Sequence, residues 1–253
     1  MGDHLPPLSG EIMNKKIGIL GGMSPESTIT YYEYITRTYT ERFGDFNYPE
    51  IIIYSVSFQP FVDWPALGKW DLVTQELIES ARSLEKAGAD FIIIATNTMH
   101  LVFDQVQEEI GIPMLSLLDA VGQAITTQNL QKVGLLGTRF TMKGSFYQNA
   151  LNKYGVTLIV PEEEEIQIVD NIIYSELVKG VIHPDSRSKY LDITLGLQAK
   201  GAQGVILGCT EIPLLINARN TDLPLFDTTS IHAEAALKLA LSPNDPFFFN
   251  KQR

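Results

Sequence analysis

The strongest constraint on this fold is that the chain repeats itself. Leu84–Thr96 reads LEKAGADFIIIAT, and Leu197–Cys209 reads LQAKGAQGVILGC. In each copy a leucine is followed four residues later by a glycine. An apolar run comes next, and then a small side chain bearing a hydroxyl or a thiol. Gly88 and Gly201 each precede that side chain by eight residues. Upstream, KIGILGGM at Lys16–Met23 matches KVGLLGTR at Lys132–Arg139. Downstream, IPMLSLLDA from Ile112 matches LPLFDTTSI from Leu223. The shared order predicts two similar α/β units. Facing each other, they would place Thr96 and Cys209 on opposite sides of one cleft, an arrangement suited to chemistry on both faces of one carbon.

Short apolar runs alternate with helical patterns, the signature of parallel sheets covered by helices. Ile17–Leu20, Ile51–Tyr54, Phe91–Ala95 and Met114–Leu117 read as strands of the first half. Val133–Leu136, Thr157–Val160, Val205–Leu207 and Leu225–Phe226 read as their counterparts. Val73, Leu77, Ala81 and Leu84 recur at helical spacing before Gly88, a helix stop. Asp185 or Ser186 is the expected cap of a helix running towards Gly201. The fold class is therefore α/β: two Rossmann-like parallel-sheet domains related by a pseudo-twofold axis, with the active site between them. The expected organisation is a flexible leader at 1–14, a first domain at 15–117, a second at 118–228 and a tail at 243–253. A last helix at 229–242 is expected to pack back on the first domain, and Phe247–Phe249 to dock the tail.

A chain of 253 residues can bury a sizeable core. Its formal charge of −11 argues against a nucleic-acid or anionic-membrane surface. No apolar run approaches the ~20 residues of a membrane span. The acidic run Glu162–Glu165 reads as a solvated loop or a helix start. A single cysteine excludes an internal disulfide and suits a cytoplasmic location. The four histidines lack metal-ligand spacing, so no metal is expected.

Ligands of such sheets bind beyond the carboxyl ends of the strands, where four segments converge. Gly21–Thr28 (GGMSPEST) leaves a strand and opens a helix, so the amides near Met23 and Ser24 can hold an anion. The plain alternative is a tight turn. Asn97 and Thr98 offer short donors beyond Thr96, or Thr96 or Asn97 merely caps a helix. Cys209 precedes a helix start, where dipole and amides favour a thiolate, and Glu211 can tune it. The alternative is a cysteine acting as a small buried hydrophobe. Thr138 and Arg139 mirror the first loop. Arg139 is a candidate carboxylate clamp or a surface ion-pair partner. His232 either tunes Cys209 or is a satisfied core histidine.

Taken together, GGMSPEST, TNTMH, LLGTRFTM, GCTEI and PLFDTTSIHAE resemble the cofactor-independent aspartate/glutamate racemases, from about Lys15 to Leu241. The resemblance implies a homodimeric isomerase that uses no pyridoxal phosphate or metal. In that family two cysteines flank the substrate Cα, one removing a proton and the other returning one to the opposite face. Cys209 matches the second cysteine, whereas Thr96 stands at the first. This Thr/Cys pair resembles a branch preferring L-aspartate and L-glutamate, in which Cys209 would deprotonate the L form and Thr96 relay a proton to the other face. Asn97, Thr98 and Thr210 would hold the α-carboxylate, with amides around Met23–Ser24 and Thr138 lining the pocket. The family's distal-carboxylate arginine and lysine are absent from the matching stretches, Ser55–Gln59 and Gln167–Ile168. Aspartate is the first substrate implied, with glutamate or another L-amino acid open. Two other readings stand beside this one. A malonate-type decarboxylase needs only one acid, and a non-catalytic amino-acid-binding protein would keep the cleft alone.

Overall fold

The structure, a computed structural model, describes residues 14–242. The tail and all but the last residue of the leader lie outside the described residues. The first half runs β1 (Ile17–Gly21), α1 (Pro25–Phe43), β2 (Ile51–Ser55), α2 (Phe58–Ala66), α3 (Trp70–Lys86), β3 (Phe91–Ile94), α4 (Phe103–Glu108) and α5 (Leu117–Thr127). The second runs β4 (Lys132–Gly137), α6 (Arg139–Lys143), α7 (Ser145–Asn152), β5 (Thr157–Ile159), α8 (Glu163–Ser175), α9 (Pro184–Ala199), β6 (Val205–Gly208), α10 (Ile212–Leu215), β7 (Leu225–Asp227) and α11 (Thr228–Leu241). The strand orders are β2-β1-β3 and β5-β4-β6-β7, all parallel.

The repeat extends to individual hydrogen bonds. Gly88 and Gly201 have φ of +92° and +97°, a left-handed conformation that glycine adopts without a Cβ penalty. Beyond each, an amide returns to the last turn: Ala89 N–H to Leu84 C=O at 3.1 Å, and Ala202 N–H to Leu197 C=O at 3.0 Å. The next residue then ties to the first strand, Asp90 N–H to Lys16 C=O at 2.9 Å and Gln203 N–H to Lys132 C=O at 2.8 Å.

Two sequence expectations are modified and one open alternative is decided. The fourth strand of the first half shrinks to one bridge, Met114 opposite Ile92. Ser116 then caps α5, its Oγ accepting from Asp119 N–H at 3.3 Å, which ends the extended chain. Helix α9 starts at Pro184 with His183 as cap residue, ahead of Asp185 and Ser186. Proline suits that first position because its missing N–H is one of the unpaired ones. Glu162–Glu165 is a helix start: Glu165 Oε2 accepts the Glu162 N–H at 2.9 Å.

The two halves exchange their last helices. Leu117, Leu118, Val121 and Ile125 of α5 enter the core of the second half with Val133, Leu135 and Tyr147. Ala233, Ala236, Leu237 and Ala240 of α11 enter the first, against Ile17, Ile19, Tyr31 and Ile35. Each fully buried aliphatic or aromatic side chain contributes roughly 1.5–3 kcal/mol. The exchange therefore ties the halves together through both cores and fixes the cleft between them. Arg42 clamps α1 to α11 with two bonds to Glu234, at 2.9 and 2.8 Å. Among the described residues no helix is long and apolar enough to cross a membrane.

Candidate active site

Parallel registry aligns β1 with β3 and β4 with β6, so their carboxyl ends emerge side by side. Thr96 follows β3 and Cys209 follows β6. Both line one cleft with Met23, Asn97 and Thr98 from the first half and Thr138, Thr210 and Glu211 from the second. Thr96 and Cys209 are each 9% exposed.

Glu211, which is 4% exposed, is bonded through both carboxylate oxygens. Its Oε1 accepts from Ser24 Oγ–H at 2.5 Å. Its Oε2 accepts from the Cys209 thiol at 2.9 Å and from Thr210 Oγ–H at 2.8 Å. A buried carboxylate is tolerated only when such donors replace its lost water. Burial pushes the Cys209 thiol well above the usual thiol range, and the adjacent Glu211 carboxylate pushes it further. The amides of Glu211 and Thr210 oppose this and lose. The sequence expectation of a dipole-favoured thiolate is thereby overturned. Helix α10 has only four residues and begins three positions after Cys209, too short to outweigh burial beside a carboxylate.

Across the cleft, Thr98 Oγ lies 3.1 Å from Thr138 Oγ and 3.3 Å from Thr141 Oγ. Thr138 caps α6, its Oγ accepting Thr141 N–H at 3.3 Å, as Ser24 Oγ accepts Ser27 N–H at 3.3 Å ahead of α1. Asn97 caps nothing with its side chain. Its amide donates to Thr228 Oγ at 2.9 Å and accepts from Tyr147 O–H at 3.1 Å, so both partners lie in the second half.

The buried histidines are structural in their bonding. His100 accepts Leu117 N–H at Nε2, so Nδ1 carries the proton and donates to Thr96 C=O at 2.8 Å. That bond fixes the backbone beneath Thr96. His232 lies 2.9 Å from Tyr31 O–H through Nδ1 and 3.0 Å from Leu115 C=O through Nε2. Both ring nitrogens are therefore occupied away from Cys209, contrary to a tuning role. Burial lowers the pKa of His100 to about 4 and that of His232 to about 3.

Arg139 does not enter the cleft. Its guanidinium reaches Glu163 at 3.3 Å, its N–H donates to Asp170 Oδ1 at 2.7 Å, and its side chain is 49% exposed. As the first helical residue of α6 it points towards the start of α8, where an acidic cluster holds it. The clamp reading is corrected to a surface ion pair.

Sequence reasoning missed the outer wall. Phe58, Phe61 and Pro65 of α2 face Phe140, Ile173, Tyr174 and Val178. The available signal was Phe58 and Phe61 at helical spacing, with Phe58 inside the stretch where the resemblance places a charge.

The family profile described as Asp/Glu/Hydantoin racemase matches residues 20–236. A protein from Yersinia pestis provisionally assigned as an Asp/Glu racemase has a solved structure 44% identical to this chain, with a TM-score of 0.83, covering 90% of this chain and 99% of that one. An aspartate racemase homologue from Pyrococcus horikoshii OT3 is 40% identical, with a TM-score of 0.79 and coverage of 89% and 99%. The broad specificity amino-acid racemase RacX of Bacillus subtilis is 26% identical over 229 residues, 89% of this chain and 98% of that protein.

Proposed function

This chain belongs to the Asp/Glu/hydantoin racemase family, and from that premise we propose that it racemises a free L-amino acid by proton transfer at Cα between Cys209 and Thr96. One observation carries the reading: Thr96 and Cys209 occupy equivalent strand ends in the two halves and line the same cleft.

An amino-acid Cα–H is a very weak acid, so the carbanionic intermediate needs positioned donors around its carboxylate. The Thr98 and Thr138 hydroxyls and neighbouring amides would fill that role, a reading supported by their position in the cleft. Each such donor is worth about 3 kcal/mol in a preorganised, dry site. Cys209 rests as a thiol with its proton directed at Glu211 Oε2. Transfer of that proton to Glu211 frees the thiolate as substrate arrives, its ammonium group offsetting the negative charge. The thiolate then takes the Cα proton of the L form. Thr96, directly or through a water it holds, delivers a proton to the opposite face. The hydroxyl is replenished from solvent, and Cys209 returns its extra proton, so no proton is gained or lost overall. General acid–base steps of this kind contribute roughly 10²–10⁴-fold.

The dicarboxylic substrates implied by sequence resemblance need a cation for the second carboxylate, and Arg139 does not supply one. The deciding experiment is α-hydrogen exchange in D₂O followed by NMR with chiral analysis. Exchange with appearance of the D form supports the racemase. Exchange without inversion limits the activity to the Cys209 face. No exchange with any amino acid overturns the reading.

A further inference from the structure

The cleft is chemically divided. Its inner end, where the strands terminate, carries the hydroxyl, amide, thiol and carboxylate groups. Its outer wall is mainly hydrocarbon: Phe58, Phe61 and Pro65 from α2, Phe140 from α6, Ile173 and the neutral phenol Tyr174 from α8, and Val178 just beyond it. Among the described residues no lysine, arginine or histidine lines the cleft. The one carboxyl among these described lining residues is Glu211, an acid.

This division fixes what a bound amino acid can carry. With Cα held between Thr96 and Cys209 and the α-carboxylate at the inner donors, the side chain is left to meet this wall, which offers the uncharged Tyr174 hydroxyl and otherwise hydrocarbon. A side-chain carboxylate there would lose its water with no cation to replace it, facing the Glu211 carboxylate. The basic side chains of the neighbouring helix α6 are committed elsewhere. Arg139 and Lys143 both pair with Glu163, at 3.3 and 2.7 Å, on the outer surface. An apolar side chain would instead bury its surface against Phe61, itself only 4% exposed, and the surrounding wall.

We infer that the preferred substrate is an L-amino acid with a neutral, apolar side chain, such as methionine, leucine or phenylalanine, rather than a dicarboxylic acid. The inference rests on the racemase reading for its catalytic part, and on the pocket wall alone for its selectivity.

The test measures α-hydrogen exchange with the purified full chain on L-methionine, L-leucine, L-phenylalanine, L-aspartate and L-glutamate separately. Binding of each is measured in parallel by saturation-transfer NMR on the same protein. The expected result is kcat/KM at least about 10-fold higher for the best apolar acid than for either dicarboxylate, since an unpaired polar group is rejected more strongly than a missing methylene. A preference for aspartate or glutamate overturns the inference while leaving the racemase intact. Binding of the apolar acids over the dicarboxylates without any exchange supports the pocket assignment and overturns the racemase. Neither exchange nor binding of the apolar acids overturns both.

Discussion

Ser24 of the first half donates its hydroxyl to Glu211 of the second at 2.5 Å. The other oxygen of the same carboxylate receives the Cys209 thiol at 2.9 Å. The approach of the two halves and the proton acceptor of the thiol are therefore one structure. Its pseudo-symmetric counterpart joins Thr98 of the first half to Thr138 of the second at 3.1 Å. Ser24 and Thr138 each cap the helix after the first strand of their half. Thr98 and Glu211 each stand two residues beyond the chemical positions, Thr96 and Cys209. The two bonds close the cleft from opposite sides, but only the one at Glu211 touches the thiol.

Replacing Glu211 with Gln tests that coupling. The amide keeps the shape but removes the negative charge that helps hold the thiol proton. The pH midpoint for kcat/KM in the L-to-D direction should therefore move to lower pH. The rate should also fall by about 10²-fold, because the thiol loses its proton acceptor. A pH–rate profile with an unmoved midpoint would separate Glu211 from the thiol.

In the wild-type protein, the raised thiol pKa has its own signature. Deprotonation of the L form needs the thiolate, so its kcat/KM should climb with pH into the alkaline range. The two enantiomers are equal in free energy, so kcat/KM in the D-to-L direction must follow the same profile, and a flat alkaline range would count against the raised thiol pKa. Cys209→Ala should abolish exchange with the far-UV circular dichroism unchanged. Thr96→Cys should raise the D-to-L rate by about 10-fold or more, a thiol being a far better base than a hydroxyl at neutral pH. Equal D-to-L rates for wild type and Thr96→Cys would count against Thr96 facing the second side.

The sheets were legible because buried parallel strands read as continuous apolar runs, and the glycine-spaced repeat doubled the signal. The convergence of Thr96 and Cys209 followed from strand order alone. The direction of the Arg139 side chain did not, since Glu163 reaches it from α8, whose approach is set by packing. The acidity of Cys209 was misjudged for a related reason. A helix start is visible in sequence, whereas burial beside Glu211 exists only once the halves meet. The outer wall escaped notice because Phe58 and Phe61 are ordinary core residues until α2 is seen to face α8.

Arg139 sits in an exposed ion pair, and such pairs contribute about 0–1 kcal/mol. Arg139→Ala should leave KM within about twofold for acidic and neutral amino acids alike, and stability within about 0.5 kcal/mol. Loss of affinity confined to aspartate and glutamate would restore the clamp.

The last prediction concerns stability. His100 and His232 are fully enclosed, and burial depresses their pKa values to about 4 and about 3 from an ordinary 6.5. Between those values and 6.5 the unfolded chain binds protons that the folded chain refuses. Both residues' stabilisation is thus complete above pH 6.5 and declines as pH falls towards 4 and then 3. For His100 alone the drop amounts to about 3 kcal/mol, a sizeable share of a typical folding free energy. Urea midpoints should therefore fall steeply between pH 6.5 and 4, beyond what surface carboxylates impose. His232→Gln keeps an amide that can donate to Leu115 C=O but cannot titrate. It should be less stable at pH 7 by about 1–2 kcal/mol, with a distinctly shallower decline towards pH 4. Parallel declines in wild type and variant would show that His232 takes no part in the acid response.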